Sequence, residues 1–342
     1  MVEITIIPET IELIRLTDEE YFSPKYKDYI SNSKLSLVDP TEGGSIDKYK
    51  EGYKSDYSES FELGSAVHMM LLQSELYTIS HINKPSGKLG LFADKVYELE
   101  KSGVDRDEAI KQASVSANYY SGKLSDKRLA TALEACIPYW EEREIWESNN
   151  ENENVIYLSS GMLKKYDSCS LGLKENKKVN DTLYPDSLFG GVEVFNEYAI
   201  FAEVEINIDG VVRRLKVKAK LDNYTVNHET QELTLNDVKT TGKPIDYFMG
   251  NYVNVTDEQN NHKKVWYNGS FQKYHYYRQM GMYLWLLSSY YRSKGINYKL
   301  KANMVVVETI PEFKSKVYKV YNKHIKRGIN EFKKLLALVA NE

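Results

Sequence analysis

The sequence predicts an α/β fold, a β-sheet flanked by helices and preceded by a mainly helical N-terminal region. Three patterns carry that expectation. Charged and apolar residues alternate through 203–222 on either side of Asp209-Gly210, the period of two expected of paired strands. Met304-Val305-Val306-Val307 has the unbroken apolar character of a strand buried on both faces. Residues 58–76, 92–148 and 270–293 carry apolar side chains at helical spacing instead.

In chain order, residues 1–60 are polar and rich in Tyr, Ser and Gly, apart from an apolar stretch at 4–16. The 58–76 helix is expected to turn Phe61, Val67, Met70 and Leu71 to one side. Two or three helices follow, most clearly 105–117 and 126–147, with polar loops expected at 147–154 and 176–185. Asp209-Gly210 is a strong two-residue hairpin turn. It sets 208 opposite 211, 206 opposite 213 and 204 opposite 215. That register keeps one face apolar apart from Arg213, with Glu205 opposite Arg214 and Glu203 opposite Lys216. A third strand, 232–240, holds Leu233, Leu235, Asp237 and Lys239 on one face. After the 270–293 helix and the 302–309 strand, the chain closes on a basic amphipathic helix. The expected organisation is an N-terminal extension over 1–57 and one domain over 58–342. Within it lie a helical insertion at about 90–190, the sheet at about 199–310 and a terminal helix at about 315–340.

The 342 residues are 42% hydrophobic and 27% charged, enough apolar material for a full core. No apolar run approaches the roughly 18 residues of a membrane span, and Met1-Val2-Glu3 opens no secretory signal. A soluble cytoplasmic protein is expected. Cys136 and Cys169 are too few and too far apart for a zinc ribbon, an iron–sulfur cluster or a disulfide framework. The net charge of −4 hides an asymmetry. Residues 1–210 carry 22 Lys and Arg against 38 Asp and Glu, and residues 211–342 carry 23 against 11, so the two parts stand at −16 and +12. A basic working surface on an acidic body would produce this split, and so would solvated basic helix faces.

Asp222 ends a row formed by Arg214, Lys216, Lys218 and Lys220. Antiparallel pairing of the second and third strands through a loop near 228–231 would bring Asp222 opposite Asp237. Two carboxylates side by side repel unless a cation lies between them, and hard oxygen donors suit Mg²⁺ or Mn²⁺. A lysine beside that cation, here Lys239, can orient water or stabilise charge on a phosphate. In isolation each part is ordinary: a strand-end Asp is a turn residue, and Asp-x-Lys is a solvated ion pair. Their conjunction points to phosphodiester hydrolysis. Gly64 and His68 share a helix face, where His68 is either a satisfied core residue or a metal ligand. Gln272, Tyr276, Gln279 and Tyr283 fall on one side of the 270–293 helix, and two amides in that stripe suggest a polar groove.

In this order, Gly64-x-x-x-His68, Asp222, Asp237-Val238-Lys239-Thr240-Thr241 and Gln279-Met280-Gly281-Met282-Tyr283 resemble the motif set of the PD-(D/E)XK nuclease superfamily. They are most similar to its RecB-like branch, which contains phage lambda exonuclease and the RecE-type exodeoxyribonuclease VIII. The blocks FELGSAVHMMLL, VKAKLDNY, LNDVKTTGKPIDYF and YHYYRQMGMYLWLL each resemble that branch. ISNSKLSLVDP resembles its N-terminal motif, and MVVVETIPEFKSKVY its last core strand and hairpin. The resemblance spans about residues 30–320. It implies a restriction-endonuclease-like core with a central mixed sheet. His68, Asp222 and Asp237 would ligate metal with the Val238 carbonyl, and Lys239 would be the catalytic lysine. Gln279 and Tyr283 would contact DNA or support the site. Glu203 or Glu205 matches an acidic position of the branch, although pairing with Lys216 and Arg214 accounts for either equally well. The second metal acid is Asp where Glu is common, and the cysteine quartet of the iron–sulfur members is absent, so no cluster is expected.

The implied activity is a Mg²⁺- or Mn²⁺-dependent exodeoxyribonuclease that resects linear double-stranded DNA ends, 5′→3′, in bacteriophage recombination. It would hand the overhang to a single-strand-annealing protein, work as a homo-oligomeric ring around DNA in the bacterial cytoplasm, and use Lys216, Lys218 and Lys220 for phosphate contacts. A same-fold endonuclease would be told apart by cleavage of closed circular DNA, and a non-catalytic DNA-binding phage protein by the lack of metal-dependent degradation.

Overall fold

A computed structural model of the chain describes residues 2–52, 58–119, 125–150, 154–185, 191–256 and 262–342. In chain order its elements are β1 (Val2–Ile6), β2 (Glu12–Arg15), α1 (Asp18–Phe22), α2 (Asn32–Ser36) and α3 (Ile46–Glu51), then α4 (Glu59–Leu72), β3 (Thr78–Lys84), α5 (Gly87–Lys101) and α6 (Arg106–Ser116). Next come α7 (Asp126–Asn149), β4 (Val155–Ser159), α8 (Ser160–Lys174), α9 (Lys177–Leu183), β5 (Val192–Ile208) and β6 (Val211–Asn227). The chain continues with β7 (Glu232–Thr241), β8 (Asn251–Thr256), β9 (His262–Tyr267), α10 (Ser270–Lys273), α11 (Tyr276–Ser293), β10 (Lys299–Glu308), β11 (Ser315–Lys319) and α12 (Asn322–Ala340).

The elements divide into two compact units. A sheet unit combines Met1–Lys54 with Gly172–Glu342, and a helical unit spans Ser55–Leu171. Residues 1–54 thus group with the sheet. The 17-residue β5 explains it, because its outer edge would otherwise expose a long row of unpaired backbone groups. β1 covers one stretch of that edge and β2 another, and Ile30 bridges Val217 on β6.

The sheet unit is a mixed α/β structure. Its seven strands run β1-β5-β6-β7-β10-β11, with β2 also on β5. Among the described strands of this sheet, β7 and β10 pair in parallel and the other pairs are antiparallel. The Asp209-Gly210 hairpin holds the register expected of it, including Glu205 opposite Arg214 and Glu203 opposite Lys216. β6 and β7 pair from Asn223–Asn236 to Asn227–Glu232, which leaves 228–231 as the loop. The core of Val204, Ile206, Leu235, Met304 and Val306 is closed by α11 and α12. These helices approach closely, because a Cβ on Gly328 would lie 1.9 Å from the Tyr277 carbonyl oxygen.

Several local expectations change. The 270–293 helix is two, α10 and α11, broken where His275 takes φ 51°. Residues 177–183 form α9 because the Asn176 side chain caps the Lys178 and Val179 N–H groups while Val179 and Leu183 bury one face. α7 continues through Asn149, and 151–153 of the expected loop lie outside the described residues. β11 occupies 315–319, so the last helix starts at Asn322.

In the helical unit, α5, α6 and α7 surround Phe92, Ala93, Val96, Ala113, Cys136 and Tyr139, beside a parallel pair of β3 and β4. Its buried Lys84 ammonium lies 2.6 Å from Glu62 and 2.7 Å from Asp94. On α4, Leu63, Ala66 and Val67 are buried while Phe61 is exposed, so the apolar side is rotated from the expected one. Among the described residues no helix is long and apolar enough to cross a membrane.

Candidate active site

The β6–β7 ladder ends at Asn223–Asn236, and β7 runs on beside β10 with Asp237 opposite Met304 and Lys239 opposite Val306. Asp222 fills the fork. Its Oδ2 accepts the Val238 N–H at 2.8 Å, replacing the backbone bond the ladder would have made. Asp237 is 1% exposed. Its Oδ2 lies 2.6 Å from Lys239 Nζ, which is 3.9 Å from Asp222 Oδ2. One ammonium therefore answers two buried carboxylates. It also donates to the Val238 carbonyl at 3.2 Å and sits 5.4 Å from the centre of the Tyr276 ring. Burial works against the Lys239 charge, but Asp237 and Asp222 outweigh it and raise its pKa above the ordinary lysine value.

α11 supplies the next layer. Gln279 Nε2 donates to Asp237 Oδ1 at 2.7 Å. Burial, with Tyr21, Asp237 and Asp222 nearby, keeps the Tyr283 phenol well above the usual range. The polar stripe is shorter than expected, since Gln272 lies on α10 and donates to the Met249 carbonyl.

α11 itself is set by Arg278, among the largest fully buried side chains of the described residues. Its guanidinium donates to Asn32 Oδ1 at 3.0 Å, Ser36 Oγ at 2.7 Å and Glu42 Oε1 at 2.6 Å, and it pairs with Asp39. Three of those partners belong to the 30–40 motif, which thereby fixes the helix carrying Gln279. Asp39, Glu42 and His275 come close enough to hold a metal, but Arg278 already neutralises the two acids.

Of the acids on β5, Glu197 lies beside Asp222. Its carboxylate and that of Asp222 approach within 4.8 Å, it is 2% exposed, and Lys220 Nζ lies 2.8 Å from its Oε2. Glu197 takes φ 58°, a conformation costly for a non-glycine residue and frequent at functional sites. Here the ladder passes from Asn196–Asn223 to Tyr198–Leu221 and skips Glu197 and Asp222. Glu203 and Glu205 stay with Lys216 and Arg214, roughly 20 Å and more further along an extended strand. The hairpin register, run back past 199, would have identified Glu197, because Asn196 opposite Asn223 leaves it facing Asp222.

Behind the fork an amide ladder crosses four strands. Asn223 donates to Asn196, Asn236 to Asn223 and Asn303 to Asn236, at 2.7–2.9 Å. Asn223 and Asn236 also donate to the Leu183 and Thr182 carbonyls at the end of α9. A one-residue slip of β6 against β7 would strand these amides, so the ladder pins the register that aligns the two acids.

Two of the three lysines expected to meet phosphate are engaged within the protein. Lys218 is buried and donates to the Tyr21 carbonyl at 2.8 Å, and burial, with Lys34 nearby, lowers its pKa to about 8. Lys220 pairs with Glu197 and Asp18. Lys216 is exposed, over the Tyr29 ring. His68 lies half-buried on α4 of the helical unit, one turn after Gly64.

Glu197 and Asp222 bring together hard carboxylate oxygens of the kind that suit a divalent metal, and Lys239 links Asp222 to Asp237 beside them. No family model and no curated protein matches the chain. Among solved structures it is similar to a proposed exonuclease from Eubacterium rectale, at 10% identity and a TM-score of 0.45, over 95% of this chain and 85% of that one.

Proposed function

We propose that this chain is a metal-dependent nuclease, an exodeoxyribonuclease acting on the ends of linear duplex DNA. The observation that carries the reading is the single ammonium of Lys239 set against Asp237 and Asp222 where β6 and β7 part. The carboxylates of Glu197, Asp222 and Asp237 suit Mg²⁺ or Mn²⁺, and the sequence resemblance adds His68 to the ligands. When bound, such an ion supplies Lewis-acid stabilisation to a phosphate. The chain's own groups do the positioning. The Val238 N–H holds Asp222, and Gln279 holds Asp237. Lys239, a donor that cannot ligate metal, orients water and stabilises negative charge on a phosphate oxygen. A 5′→3′ polarity, a bacteriophage recombination role beside a single-strand-annealing protein, a ring assembly and a cytoplasmic location are proposed from the same resemblance.

The test is digestion of linear duplex labelled at its 5′ or 3′ end, in Mg²⁺ and then in EDTA, with closed circular duplex alongside. The expected result is metal-dependent loss of the linear substrate alone, abolished in Asp222→Asn and Asp237→Asn. Full activity in either variant would overturn the assignment, and cutting of closed circles would make the enzyme an endonuclease.

A further inference from the structure

β8 and β9 form a two-stranded sheet of their own, apart from the seven-stranded one. All their residues except Val253 are exposed, so among the described residues the face opposite Val253 stands open. Their register sets Tyr252 opposite Trp266, Asn254 opposite Lys264 and Thr256 opposite His262, and these six side chains share one face. The Tyr252 and Trp266 rings meet edge-on at 5.1 Å while remaining 63% and 46% exposed. The indole is anchored. Its Nε1–H donates to Asn268 Oδ1 at 3.0 Å, and it lies across Gly250, where a Cβ would come within 2.5 Å of Cζ2. Gly250 also takes φ 91°, so glycine serves both the turn and the ring.

The chemistry of this face is specific. It offers two rings, an amide, a hydroxyl, a lysine and a histidine, and the described strands carry no carboxylate on either face. Lys263 adds a cation on the opposite face, and Lys243 lies over the Tyr267 ring at 5.6 Å. The root of the hairpin is tied to the candidate site. The Phe271 N–H donates to the Phe248 carbonyl at 2.9 Å, Phe248 stacks on Tyr276 at 5.9 Å, and Tyr276 lies beneath Lys239.

We propose that the β8–β9 hairpin grips single-stranded nucleic acid, with unpaired bases stacking on Trp266 and Tyr252 and Lys264 meeting the backbone phosphate. Rings held open to solvent offer π-faces that only unpaired bases can use, and the surrounding cations complement the phosphates. The proposal deepens the nuclease reading and rests on it for the nature of the ligand. The strand bound would be the one freed or fed as a duplex end is resected.

The experiment measures fluorescence anisotropy of a labelled 20-nucleotide oligo-dT, with a blunt 20-base-pair duplex alongside, on the full chain in EDTA, where no cutting interferes. Trp266→Ala and Tyr252→Ala change exposed side chains, and circular dichroism checks that each variant folds. Trp266→Ala should weaken oligo-dT binding roughly 5- to 100-fold, the loss expected for one stacked base, and change duplex binding by less than twofold. Unchanged oligo-dT affinity in both variants overturns the proposal, as does a parent chain that does not bind oligo-dT. Sedimentation provides a further check: if Trp266→Ala dissociates an oligomer without altering oligo-dT affinity, the face is a contact between copies and the proposal falls. Asp222→Asn digested in Mg²⁺ decides the nuclease reading separately, so either can fail alone.

Discussion

Replacing Lys239 with methionine keeps its length and removes its charge, which isolates the ion pair. In the parent, Lys239 Nζ stands 2.6 Å from Asp237 and 3.9 Å from Asp222. At an effective dielectric of about 20 these distances correspond to roughly 6 and 4 kcal/mol of attraction, most of it offset by the cost of desolvating the three groups. The variant leaves two buried carboxylates without that cation, and breaking a buried pair from one side costs about 3–5 kcal/mol. For a unit of this size the midpoint of thermal unfolding should fall by about 6–20 °C in EDTA. Divalent metal should restore more stability in the variant than in the parent, since it then supplies the only cation between the acids. Cleavage should drop by roughly 10²–10⁴. Differential scanning calorimetry with and without Mn²⁺, beside single-turnover digestion, reads all three effects. An unshifted midpoint in EDTA would refute the ion-pair geometry, and a normal rate would remove Lys239 from the chemistry.

Glu197→Gln should leave the fold intact, because Lys220 keeps Asp18 as a partner. The midpoint rise that Mn²⁺ gives the parent should shrink in this variant, as measured by thermal shift. Gly328→Ala places a methyl 1.9 Å from the Tyr277 carbonyl. α12 and α11 must separate, at a cost of about 3 kcal/mol or more in urea unfolding, and cleavage should fall because Gln279 rides on α11. In the helical unit, burial opposes the Glu147 charge, but hydrogen bonds from Lys101, Arg143 and Tyr157 prevail and lower its pKa from 4.5 to about 2. A depressed carboxyl contributes stability above its unfolded pKa and loses it as pH falls toward the folded one. The parent should therefore lose stability between about pH 4.5 and 2, and Glu147→Gln should flatten that limb while costing about 1–3 kcal/mol at pH 7.

The hairpin and everything that follows from its register were legible in the sequence alone. A two-residue turn fixes which residues face each other, and strand geometry carries that pairing along the ladder, so Glu203–Lys216 and Glu205–Arg214 could be read without coordinates. The placing of Asp237 and Lys239 near Asp222 followed from the same arithmetic and a short loop. Glu197 lay within reach of it and was missed because the strand was begun at 199, not 192.

What only the tertiary structure decided involves groups distant in sequence and close in space. Lys218 and Lys220 belong to a basic row whose pattern says solvent, yet Tyr21, Asp18 and Glu197 claim them. Arg278 gives no sign of being the buried anchor of α11, because its partners lie at Asn32, Ser36, Asp39 and Glu42. The four asparagines of the ladder are ordinary polar residues until four strands align them. Periodicity and turn chemistry act over a few residues and can be read from order alone. The partners of a buried charge or amide are set by which segments pack together, since burial without a partner is too costly to persist.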